Sequence, residues 1–231
     1  MKKMLVCLAA LSVATCSYGD LLITMVEDGD LSSMPRFVEI YNTGLSSVDL
    51  GTSNIKLGQS ANGAAPSYST LAGTIGAGAY AYLMENDNQA TFESAYGVGK
   101  TYITASQASS NGDDAYLLAA GLMGSEVPFD VFGVSLVDGT GYNWEFTDGA
   151  MMRTSANNTQ HSTFDYAGPA LGNSGVNLTG WTWVDLDGVL VGDYATTAPI
   201  GTWAAVPEPA TLGFMGIGLT ALFLARRRIT K

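Results

Sequence analysis

The sequence predicts an all-β fold, and three observations carry that prediction. Twenty-eight glycines against seven prolines in 231 residues supply many tight turns, without the three-residue period of collagen. From Leu21 onward, short apolar or alternating runs are separated by clusters of Gly, Asn, Asp and Ser, the pattern of a β-sandwich or barrel. Finally, 47% hydrophobic and 10% aromatic residues provide a core although only 13% of residues are charged. The length suits one ordinary domain plus terminal signals.

The candidate strands, in order, are Leu21 to Val26, Arg36 to Tyr41, Asn54 to Leu57, Ala79 to Met84, Ala115 to Ala119, Val127 to Phe132, Asn143 to Phe146, Met151 to Thr154 and Trp181 to Val184. In Phe37-Val38-Glu39-Ile40-Tyr41 the period of two puts Val38 and Ile40 on one face, and this aliphatic pair is expected to face the core. One short, peripheral helix is expected from Gln89 to Tyr96. Asn88 would cap it, Phe92 and Tyr96 would share a face, and Gly97 would stop it.

Residues 1–19 form a separate segment. Lys2 and Lys3, the apolar run from Met4 to about Ala14, and the small or polar residues that follow have the layout of a secretory signal. Its apolar run is shorter than the roughly 20 residues that cross a bilayer. Cleavage after Gly19 is preferred, cleavage after Cys16 is the alternative, and Val13-Ala14-Thr15-Cys16 also loosely resembles a bacterial lipoprotein signal. Cys7 and Cys16 are the only cysteines, so a chain beginning at Asp20 holds neither a disulfide nor a thiolate metal site.

At the other end stand Val206-Pro207-Glu208-Pro209, the uncharged stretch Ala210 to Ala225, and Arg226-Arg227-Arg228. Sixteen helical residues would span about 24 Å, somewhat less than the roughly 30 Å hydrocarbon layer. The arginines would set orientation, with the preceding domain outside. Between the two ends, from Asp20 to Ala205, twenty Asp and Glu stand against Arg36, Lys56, Lys100 and Arg153, a net charge of −16. That balance repels a phosphate backbone and excludes nucleic acid as partner.

The Pro-Glu-Pro triplet at 207–209, the apolar helix at 210–225 and the arginine cluster at 226–228 resemble the PEP-CTERM sorting signal of Gram-negative bacteria. The resemblance implies export by the general secretion machinery, a membrane-anchored precursor, and processing near Pro207, Glu208 and Pro209 by an exosortase. Cell envelope, surface or extracellular matrix is then the expected destination, with exopolysaccharide or another envelope component as partner.

Residues 20–204 resemble a lamin-tail domain in its bacterial extracellular form. The likeness is carried by Phe37-Val38-Glu39-Ile40-Tyr41-Asn42, Ser47-Val48-Asp49-Leu50, Gly78-Ala79-Tyr80, Asn111-Gly112-Asp113-Asp114-Ala115 and Phe129-Asp130-Val131-Phe132-Gly133, with Trp144-Glu145-Phe146 and Met152-Arg153-Thr154 beyond them. It implies an immunoglobulin-like β-sandwich.

Several residues carry a functional and a structural reading side by side. Glu39 is either a ligand-facing acid or, the preferred reading, a local partner of Arg36 or Arg153. Asn111, Asp113 and Asp114 offer hard oxygen ligands for Ca²⁺, yet Asx-turn chemistry accounts for them without metal. The acidic runs at 27–30 and 185–188 lack EF-hand spacing and read as turns, with calcium left open. Trp181 and Trp183 fall on one side of a strand, as a sugar-stacking pair would, but core packing is preferred.

Catalytic signatures are missing. His161 is the only histidine, and no GxSxG, HExxH or GxxxxGK[ST] occurs. The leading expectation is a non-enzymatic surface or matrix module without cofactor. The alternatives are a divalent-cation-dependent adhesion or glycan-binding module and, last, a hydrolase using two carboxylates, which need no sequence motif.

Overall fold

The computed structural model describes residues 21–29, 35–85, 88–164 and 177–203. The N-terminal segment 1–19 lies outside them, as do the Pro207-Glu208-Pro209 triplet, the apolar stretch 210–225 and Arg226, Arg227 and Arg228. Among the described residues no helix is long and apolar enough to cross a membrane.

The organising strand is β1 (Leu21–Asp28), all eight of whose residues are buried. It lies inside a six-stranded sheet of order β12-β11-β1-β2-β7-β8, built with β2 (Phe37–Asn42), β7 (Tyr80–Met84), β8 (Tyr102–Thr104), β11 (Gly149–Arg153) and β12 (Trp181–Asp185). Facing it is a four-stranded sheet of order β10-β9-β4-β5, from β4 (Ile55–Ser60), β5 (Ser67–Thr70), β9 (Ala115–Ala120) and β10 (Val127–Phe132). A two-residue pair, β3 (Val48–Asp49) with β6 (Thr74–Ile75), closes one connection. All pairings are antiparallel except β7 with β8, which are joined through helix α1 (Gln89–Tyr96).

Val38 and Ile40 do face the main core, beside Leu21, Ile23, Val26, Ile55, Leu57 and Leu118. A bulge between Ile23 and Met25 shifts the phase of β1, so Ile23 and Val26, three residues apart, both point inward. Thr24 at the bulge donates its hydroxyl to Glu39 Oε1 at 2.7 Å.

Helix α1 has the expected bounds, and Gly97 ends it at φ +81° with its N–H on Glu93 O. Two expectations about the helix fail. Asn88 makes no side-chain capping bond, and the helix is far from peripheral. Phe92 is fully buried, with ring centroids 5.0 Å from Phe37 and 4.9 Å from Tyr82. With Tyr96, Met25, Leu186 and the short helix α2 (Tyr194–Thr197), it builds a second core on the outer face of the six-stranded sheet. Both faces of that sheet are thus covered, which is why β1 does not alternate between apolar and polar residues.

The expected strand from Asn143 to Phe146 is a run of turns. Trp144 and Phe146 alternate with polar residues as in a strand, but both plug the main core from a loop, packing edge-on to Phe132 at 6.4 and 5.4 Å. Glycines make that insertion fit: a Cβ on Gly139 would lie 2.6 Å from the Trp144 ring and 2.5 Å from Asp113 O. The expectations also pass over β3, β5, β6 and β8, which have four residues or fewer and weak apolar content.

The crowding at Gly139 is testable. Gly139→Ala should lower unfolding stability by about 1–3 kcal/mol through overpacking. Gly192→Ala, where an added Cβ meets nothing within 4 Å, should change it by less than about 0.5 kcal/mol. Urea denaturation of the two variants checks both.

Candidate functional site

The inter-sheet end near β1 is built on one buried ion pair. Arg153, the last residue of β11, reaches Asp130 of β10 with Nη2 at 2.9 and 2.7 Å from the two carboxylate oxygens, and both side chains are almost fully buried. Its Nε donates to Ile23 O at 2.6 Å, and Nη1 donates to Thr159 O at 3.0 Å and Asn157 Oδ1 at 3.3 Å. Asp130 in turn accepts the backbone N–H of Ile23 at 2.7 Å and of His161 at 3.1 Å. Pairing of β1 with β11 runs from Met25 to Asp28. Beyond it, side chains take the place of a strand: Asp130 and Arg153 satisfy both backbone groups of Ile23, and Gln160 Nε2 donates to Leu21 O at 2.8 Å. Burial pushes the Asp130 carboxyl above its ordinary value, opposed by Arg153 and the two N–H groups.

Around this pair lies a cavity of about 250 Å³, lined by Asn157, Thr159, His161, Thr179 and the aromatic rings of Phe164 and Trp181. A second, of about 260 Å³, shares Val131, Thr163 and Phe164 with the first and continues over Gly133 to Ser135. Because every guanidinium nitrogen of Arg153 already has a partner, the lining offers hydroxyl, amide, imidazole and aromatic groups and no unbalanced cation. Such a surface lacks the free positive charge that a phosphate or carboxylate ligand would need. His161 sits in a polar loop, as expected, with Nε2 3.2 Å from Thr159 Oγ1.

The Asp113 and Asp114 carboxylates turn to different partners. Asp114 accepts from Asn62 N at 2.9 Å and Gln59 Nε2 at 2.7 Å, while Asp113 Oδ2 accepts from Thr140 at 2.9 Å. Asn111 O and Gly112 O receive Thr147 Oγ1 and Phe146 N, so the segment braces the loop that carries Trp144. Gly112 is required there, at φ +86° with Thr147 Cα 2.2 Å from where a Cβ would stand. Among the described residues, no group of three or more His, Cys, Asp or Glu side chains has metal-binding spacing.

Trp181 and Trp183 are separated by burial. Trp181 is 2% exposed in the main core, 4.9 Å from Phe132 and under the Arg153 guanidinium at 5.0 Å, while Trp183 is half-buried. They present no shared open stacking face. The acidic run at 27–30 begins in β1, so Glu27 and Asp28 are strand residues rather than turn residues. At 185–188 the expected turn is present, with Asp187 N on Asp185 Oδ1.

Glu39 pairs with neither Arg36 nor Arg153. Arg36 Nε sits 2.8 Å from Asp28 Oδ1, and Arg153 is held by Asp130. Glu39 instead accepts Thr24 Oγ1 and, at 2.6 Å, the backbone N–H of Gly201. That bond is part of a C-terminal clasp. Trp203 packs with its ring tilted 58° to Tyr41 at 5.3 Å, donates Nε1 to Thr154 O at 3.1 Å, and accepts the Tyr80 hydroxyl at its carbonyl. Burial raises the Glu39 and Glu27 carboxyls, and it raises Asp28 to about 7 against the partial relief of Arg36. The clasp and the place of Glu39 escape sequence reading because their partners lie from 15 to more than 160 residues away.

The chain matches the family model of the Lamin Tail Domain over residues 14–135, more than half of its length. The chain belongs to the lamin tail domain family. A second match, to the PEP-CTERM protein-sorting motif, covers residues 205–228 and marks the protein for export and exosortase processing at the membrane. No curated protein matches the chain. The lamin tail match contains Asp130 but ends before Arg153, so the family's span depends here on β11, outside it, to neutralise its buried acid.

Two measurements test this electrostatic design. Arg153→Met should cost about 3–5 kcal/mol by stranding Asp130, and Arg153→Met combined with Asp130→Leu should recover part of that loss in denaturant titration. The Asp28 carboxyl binds its proton more tightly when folded, so its contribution to stability is full below about pH 4 and is lost as pH rises to about 7. Melting temperatures should therefore fall over that window, and Asp28→Asn should flatten the fall.

Proposed function

We propose that this lamin tail domain is a non-enzymatic surface or matrix module that contacts exopolysaccharide after exosortase processing. One observation supports the reading above others: the sorting motif begins two residues after Trp203, the last described residue of the fold. The described residues between the two processing signals are occupied in building one sandwich. His161 belongs to a loop whose polar groups serve the Arg153–Asp130 pair.

The glycan contact is assigned to the paired cavities flanking Phe164. Each is smaller than the roughly 300 Å³ or more that drug-sized ligands occupy, and each has hydroxyl-bearing walls beside an aromatic ring, a fit for single sugar rings of a chain. A cation-dependent adhesion is the second reading. It is favoured by Asp113 Oδ1, which is buried and has no hydrogen-bond partner.

The test uses native cells. Terminal-peptide mass mapping of envelope and culture-fluid fractions should find chains that begin near Asp20 and end between Val206 and Pro209; Lys231 retained in the mature membrane fraction would overturn the sorting reading. Retention of the purified domain on the producing strain's own exopolysaccharide should be lost in Thr163→Trp, which fills the cavities. Loss in EDTA with Thr163→Trp unaffected would select the cation reading, and turnover of the glycan would overturn the non-enzymatic one.

A further inference from the structure

Both ends of the folded domain leave from the same place. Leu21 and Leu22, the first residues of β1, pair with Asn42 and Tyr41, and Trp203 packs on that same Tyr41. Trp203 is 6% exposed and held by the Tyr80 hydroxyl, Thr154 O and the Tyr41 ring, while Gly201, at φ +65°, is fixed by the buried Glu39 carboxylate. Only Ala204, Ala205 and Val206 stand between this anchor and Pro207. Four residue steps reach at most about 14 Å, whereas nine steps, counted from Ala198 at the end of α2, reach about 32 Å.

A membrane transpeptidase must take hold of extended chain on both sides of the bond it breaks. With the clasp closed, the residues on the amino side of Pro207 run into the fold almost at once. We propose that the clasp of Gly201 and Trp203 on Glu39, Tyr41, Tyr80 and Thr154 governs exosortase processing by setting how much chain the enzyme can grip, and that the clasp opens before the bond is cut. The inference rests on the exosortase reading above. Opening needs no disruption of either sheet, since residues 199–203 belong to no strand, and terminal segments of this kind open at a fraction of the global cost. Trp203 and Glu39 act here as positioning residues of the substrate, not of the enzyme.

The test is pulse-chase processing of the full chain in cells that carry the matching exosortase. Trp203→Ala should be processed about three- to tenfold faster than the parent, as expected for weakening one aromatic anchor of an opening equilibrium. Inserting Gly-Ser-Gly-Ser-Gly-Ser between Ala205 and Val206, which alters no residue of the clasp, should give the same acceleration, and Trp203→Ala added to the insertion should give nothing more. Parental or slower rates in the insertion variant overturn the proposal even if Trp203→Ala fails to fold. Glu39→Gln, which keeps the shape but weakens the bond to Gly201 N, should fall between the parent and Trp203→Ala. A parent chain that is never cut in the presence of the enzyme would instead refute the sorting reading itself.

Discussion

The buried pair of Arg153 and Asp130 is the interaction on which the two-sheet arrangement depends. A carboxylate placed between sheets is tolerated only if its charge is met and its lone pairs are filled, and here one guanidinium and two backbone N–H groups do both. The same guanidinium fills the carbonyl of Ile23, so the half of β1 that has outrun β11 has no bare edge there. The pair thereby does three jobs at one point: it bridges β10 to β11, ends the ladder, and pins the 157–161 loop that walls the first cavity. Of the four basic residues between Asp20 and Ala205, Arg153 meets Asp130, Arg36 meets Asp28, and Lys56 lies 3.5 Å from Glu126. Two of the four, Lys56 and Arg153, are buried, so half of this sparse positive charge is spent inside the fold.

The all-β class, most strand positions, and the inward-facing Val38 and Ile40 were legible because each is written in a local period or a turn signal. Helix α1 was legible for the same reason, through Phe92, Tyr96 and Gly97. Its depth was not, because no local signal says that a second layer will cover Phe37 and Tyr82. Trp144-Glu145-Phe146 misled for a physical reason: period-two alternation reports which residues are buried, and a loop that dips into a core can bury alternate residues without pairing.

The candidate site was less legible than the fold. Asp113 and Asp114 stand side by side in sequence but turn their carboxylates to Thr140 and Gln59, and the Asn111 backbone carbonyl accepts from Thr147, partners set by the tertiary fold. Asp130 and Arg153 each appeared within a motif of the resemblance, yet nothing in the chain announced that they meet. Charge composition told of the acidic whole and could not tell that five of its carboxylates, Glu27, Asp28, Glu39, Asp114 and Asp130, are buried and hold their protons more tightly than usual.

The clasp at Trp203 also has a mechanical meaning. If exosortase processing leaves the protein held by its C-terminus, as proposed, shear enters as tension at the end of the fold. In this fold that tension reaches Trp203 first and is divided among Tyr80, Thr154 and the Tyr41 ring, with Glu39 two residues further in. Those contacts must peel one after another before any load reaches β12, an edge strand of five residues paired on one side. Trp203 would then act as a strain relief, yielding and re-forming under fluctuating drag while the sheet behind it stays zipped.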